Sequence, residues 1–88
     1  MPATFIPFTE ADCQQVMREA GIPERRITKG YHDFELASHD EWVFFVPYGL
    51  SATILRKLCK CPHLSEIGNN MYSNQLCLEV RFNRYLSA

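Results

Sequence analysis

The chain has 88 residues, 47% of them hydrophobic, which makes a single domain spanning residues 1–88 with enough apolar surface to fold without obligatory staples. Nine Lys and Arg against ten Asp and Glu leave a formal net charge of −1, a balance that counts against a dedicated nucleic-acid binder and against a disordered polyelectrolyte. No stretch is long and apolar enough for a membrane span, and Met1-Pro2-Ala3-Thr4 lacks the regions of a secretory leader. The expectation is a cytoplasmic protein without membrane contact, its Cys13, Cys59, Cys61 and Cys77 kept as thiols.

In chain order, residues 4–8 read as a first short strand, curtailed by Pro7. Thr9 has the chemistry of a helix N-cap, with Asp12 three residues on and Glu10 in the first turn. Cys13, Val16, Met17 and Ala20 then recur at helical spacing to form one apolar stripe, and Gly21 with Pro23 ends the helix. Glu24 to Gly30 reads as a polar connection with a basic tint, carrying Arg25, Arg26 and Lys29. From Tyr31 the pattern alternates: Phe34 and Leu36 share a face with His32, while Tyr31, Asp33 and Glu35 share the other.

Ala37-Ser38-His39-Asp40 is expected to turn this strand back into Glu41-Trp42-Val43-Phe44-Phe45-Val46-Pro47. There bulky residues occupy both parities, so a strand would need cover on both faces and belongs in the middle of a sheet. Trp42 and Phe44 point one way, Val43 and Phe45 the other. Ser51 reads as the N-cap of a second helix with Ile54, Leu55, Leu58 and Cys61 inward and Arg56, Lys57 and Lys60 outward. Residues 62–75 are read as a short hidden strand around Ile67 or Met71-Tyr72, or as an exposed loop. Leu76, Leu78, Val80 and Phe82 alternate with Cys77, Glu79, Arg81 and Asn83, the signature of a half-buried strand. The order predicts an α+β fold: a small antiparallel sheet with two helices on one face, the ferredoxin-like βαββαβ order being one arrangement that fits.

Chemistry is harder to find. No Gly-x-Ser-x-Gly, His-Glu-x-x-His or Gly-rich phosphate loop is present, so the chain is expected not to be an enzyme and to use no cofactor. Cys59-Lys60-Cys61-Pro62-His63 gathers two thiols and an imidazole, but Cys-x-Cys on a helix turns the sulfurs about 200° apart, so no metal is expected there. Lys29-Gly30-Tyr31-His32-Asp33-Phe34 resembles a fragment of the RNA-recognition-motif signature, with His32 in place of a small residue and Asp33 where a carboxylate repels phosphate. That resemblance implies the alternative function, RNA or other nucleic-acid binding through the sheet face and a local basic patch. The primary expectation is a protein–protein interaction module, an inhibitor or adaptor that occupies a partner surface, such as a phage or mobile-element inhibitor of a host defence complex. Its contact residues are expected to be Tyr31, Trp42 and Phe44, with Arg25, Arg26 and Lys29 at the rim; a homodimer is the simplest alternative partner.

Overall fold

The computed structural model describes residues 8–33, 40–47 and 49–85. Their elements run α1 (Glu10–Ala20), a single 3-10 turn (Glu24–Arg26), β1 (Tyr31–Asp33), β2 (Glu41–Pro47), α2 (Ala52–Cys59), β3 (Leu64–Tyr72) and β4 (Gln75–Asn83). The fold is α+β, with an antiparallel four-stranded sheet in the order β1-β2-β4-β3. Of the first strand expected over residues 4–8, residues 4–7 lie outside the described residues and Phe8 is in no strand; Phe34, Leu36 and most of the connection into β2 also lie outside. The ferredoxin-like order is not seen among the described residues. The segment 62–75 instead supplies β3, which pairs with β4 as a long hairpin.

Local chemistry sets each boundary. Thr9 Oγ1 accepts from the Asp12 N–H at 3.1 Å while Asp12 Oδ2 accepts from the Thr9 N–H at 2.9 Å, a reciprocal cap that satisfies two otherwise free donors of α1. At the other end Gly21 is left-handed, with φ 107°, and Ile22 folds back so that its N–H reaches Met17 O. Ser51 Oγ accepts from the Ile54 N–H to open α2. Ser73 and Asn74 both take positive φ, 51° and 63°, which is the mirror-image turn that matches the twist of a two-residue hairpin between β3 and β4.

The helices share one face of the sheet. Cys13, Met17 and Ala20 of α1 and Leu58 of α2 form one buried cluster with Phe44, Val46, Val80 and Phe82. In register, Phe44 stands opposite Val80 and Trp42 opposite Phe82, so alternate residues of two neighbouring strands build the floor of the core. The Phe44 and Phe82 rings meet edge to face at 5.9 Å. Val43 and Cys77, also buried, stand outside this cluster because their parity turns them to the other face.

The connection from α1 to β1 is tied down, and is not the freely solvated loop its composition suggests. Gly30 donates its N–H to Glu10 Oε2 at 2.6 Å, Gln14 Nε2 donates to Thr28 O, and Thr28 Oγ1 donates to Phe45 O. A Cβ on Gly30 would stand 2.7 Å from Cζ of Phe44, so the absence of a side chain is what lets this segment close over the core ring.

Candidate functional site

With the helices on one side, the opposite sheet face displays Tyr31 and Asp33 from β1, Val43 and Phe45 from β2, Cys77, Glu79 and Arg81 from β4, and Glu66, Gly68, Asn70 and Tyr72 from β3. None of the described helices packs there. The face divides into two halves of different chemistry.

One half is aromatic. The Tyr72 ring stacks on Phe45 with centroids 4.5 Å apart and planes 5° from parallel, and Tyr31 meets Phe45 at 5.9 Å and 64°. The hydroxyls of Tyr31 and Tyr72 hydrogen-bond to each other, and that bond holds the Tyr72 phenol above its ordinary pKa. Tyr72 lies level with Gln75, while Phe45 lies level with Glu79 and Pro47 with the intervening Cys77. To stack on Phe45, the tyrosine must therefore lean across the row of Cys77. That accounts for Cys77 being only 5% exposed although its parity is the one expected to face water. Beside the rings a pocket of about 330 Å³ is lined by Thr28, Lys29, Tyr31, Phe45, Pro47 and Tyr72, among others. Tyr31 and Tyr72 remain 44% and 40% exposed, a large aromatic area left in contact with water.

The other half is ionic. Arg81 donates Nη1 to Asp33 at 2.9 Å and to Glu41 at 3.1 Å, and Nη2 to Glu79 at 3.1 Å. These bonds, the one to Asp33 first, raise its already high pKa further. Glu66, exposed, lies level with Arg81 on the adjoining strand. Three carboxylates thus share one guanidinium, with a fourth level with it on the next strand. Helix α2 has the opposite character, since Arg56, Lys57 and Lys60 are exposed there and its own sequence carries no acidic residue.

Comparisons with family models, with curated proteins and with solved structures found no match for this chain. The site therefore rests on its own geometry.

Of the residues expected at a contact surface, Tyr31 is on the open face and exposed, and Lys29 lines the pocket beside it. Phe44 is a correction: it is fully buried on the helix side and is core, with no surface to offer. Trp42 shares that parity; it is half-buried, stacks on His32 at 5.2 Å and donates Nε1–H to Phe8 O at 2.9 Å, so it too holds the fold together from the helix side. Arg26 is another correction, because its guanidinium is spent on the carbonyls of Pro47 and Gly49, fixing the end of β2, while Arg25 remains exposed in that turn. Phe45 and Tyr72 were not expected. The parity of Phe45 places it with Tyr31, whereas Tyr72 lies in the segment read either as a short strand around Ile67 or Met71-Tyr72 or as an exposed loop, of which the structure shows the strand.

Cys59 is exposed, Cys61 is half-buried, and His63 donates Nδ1–H to Asn83 O at 2.8 Å while stacking on Phe8 at 4.0 Å. Among the described residues no group of three or more His, Cys, Asp or Glu is placed to hold a metal ion, and no helix is long and apolar enough to cross a membrane.

Proposed function

We propose that the chain is a protein-binding domain that seats a partner on the open face of its sheet, acting as an inhibitor or adaptor by occupancy. The observation that carries this reading is the exposed Tyr31–Phe45–Tyr72 cluster, with its adjoining pocket, on a sheet face over which no described helix lies. Aromatic side chains give large contact area at low rotamer cost and dominate binding energetics when a partner excludes water from them. The carboxylates around Arg81 would complement basic groups at the partner's rim and set its orientation more than its affinity. The same carboxylates count against reading nucleic acid on this face, since phosphate would meet Asp33, Glu41, Glu66 and Glu79.

The test begins with affinity capture from the native cell and identification of the bound protein by mass spectrometry. Titrations of folded variants against that purified partner follow. Tyr31→Ala and Phe45→Ala should each weaken binding by about 1–3 kcal/mol, and reversing Arg25 and Lys29 should mainly slow association. Wild-type affinity in both alanine variants, or a complex whose affinity collapses steeply with salt and that contains nucleic acid, would refute the reading.

A further inference from the structure

β3 is nine residues long and has a hydrogen-bonded neighbour on one side only among the described residues. Long open edges are usually blunted by Lys, Pro or an inward charge, because their free backbone groups invite another strand. β3 carries none of these beyond its first turn of chain: after the irregularity between Leu64 and Glu66 it continues in regular register as Ile67, Gly68, Asn69, Asn70, Met71 and Tyr72. The two-residue turn makes Tyr72 and Gln75 a mutually bonded pair. Counting back in twos, Tyr72, Asn70 and Gly68 direct their backbone groups to β4, and Met71, Asn69 and Ile67 direct theirs outward. The Met71 N–H confirms the count, since it is taken up by the neighbouring Asn70 Oδ1 at 2.8 Å and not by the ladder.

This edge is complementary to itself. We propose that two copies of the chain pair antiparallel through β3, with Asn69 on the two-fold axis, joining their sheets into one of double width. In that register Ile67 of each copy stands opposite Met71 of the other on the helix side, so a methionine that is 59% exposed gains an apolar neighbour twice over. On the open face Asn70 stands opposite Gly68, where a Cβ would meet nothing within 4 Å and the space is free. Glu66, the only ionised side chain in the strand, stands opposite Tyr72, so no like charges are brought together. The Met71 N–H exchanges its Asn70 cap for a bond across the axis. No other centre along the strand matches apolar to apolar on one face while matching bulk to vacancy on the other.

The overlap from Glu66 to Tyr72 runs about 23 Å, and an edge strip of that length buries less than the roughly 800 Å² per partner of a standard stable interface. The dimer is accordingly weak, monomeric at low micromolar concentration and dimeric towards millimolar. Its two open faces lie side by side, offering a partner two aromatic clusters, but the pairing does not depend on the binding role proposed for those faces.

Sedimentation equilibrium over that concentration range tests the association, with circular dichroism as the folding control. Met71→Glu and Asn69→Pro should each remove the dimer while leaving the spectrum unchanged. The axis is tested by oxidative trapping in a Cys59→Ser background. Asn69→Cys places two thiols across a pair about 5.5 Å apart between Cα atoms, within disulfide reach, and should cross-link. Met71→Cys places them four residues, about 13 Å, out of register and should not. A monomer at every concentration, a dimer unaffected by Met71→Glu, or equal cross-linking at the two positions would overturn the proposal; none of these would alter the expected loss of partner binding in Tyr31→Ala.

Discussion

Replacing Gly30 by alanine tests how tightly the connection before β1 is packed on the core. The backbone there is not left-handed, so the penalty is purely one of space. The new methyl would lie 2.7 and 2.8 Å from Cζ and Cε2 of Phe44, well inside van der Waals contact, and 3.3 Å from the Glu10 oxygen that caps the Gly30 N–H. Phe44 cannot yield cheaply, because it is fully buried and held edge to face by Phe82. Overpacking of this kind costs about 1–3 kcal/mol. At roughly 4–8 °C per kcal/mol for a domain of this size, the melting temperature should fall by about 4–24 °C. Denaturant melts of Gly30→Ala, Phe44→Leu and the double variant would measure it. Because leucine removes the ring atoms that the methyl strikes, the double variant should be more stable than the sum of the singles by at least about 0.5 kcal/mol. Strict additivity, or a Gly30→Ala variant within about 0.5 kcal/mol of wild type, would show that the segment does not press on Phe44.

Two further outcomes are expected. In native-state alkylation followed by mass spectrometry, Cys59 should label first and Cys13 and Cys77 last; burial raises the Cys13 thiol to about 12, with nearby Cys61 adding to the effect, so early labelling of Cys13 would mean that α1 does not sit as described. Asp40 accepts from His32 and from Arg84, and these bonds, His32 first, hold its carboxyl below the ordinary value. A lowered folded-state pKa contributes stability that is fully present above the unfolded value near 3.9 and is lost as pH falls through the folded one, so wild type and Asp40→Asn should differ at neutral pH and converge in acid. Urea midpoints that keep the same gap at both ends would exclude this contribution.

How much of this could be read from the chain depended on burial. The Thr9 cap was legible from the free donors of a helix start, the stripe from Cys13 to Ala20 and the alternation of β4 from a one-sided core, and β2 from bulky residues on both of its faces. β3 was legible only as one of two alternatives, a short strand or an exposed loop, since Ser65, Gly68, Asn69 and Asn70 are poor strand formers and an edge strand owes no alternation to a core it barely touches. Its turn was also masked, because Ser73-Asn74 reaches positive φ without glycine. Leaving β3 undecided left Tyr72 without a face, and with it the reason why Cys77 is buried. The pair Phe45 and Tyr31 was available from parity. Trp42 and Phe44 were drawn to the contact surface by their size alone, although the alternation that put them on one face also put them under the helices.

Charge is unevenly spread over this nearly neutral molecule. Arg56, Lys57 and Lys60 lie on or just after α2, while Asp33, Glu41 and Glu79 bond a single arginine on the open face and Glu66 lies level with it, so the net charge of −1 conceals a basic patch at α2 and an acidic one on the other side of the sheet. Under the binding role proposed above, a basic partner would feel the acidic patch before contact and would be turned towards the open face as it approached. Salt would then act on orientation as well as on strength: over a Debye length of about 8 Å at physiological ionic strength, the field of the patch reaches only the last steps of the approach.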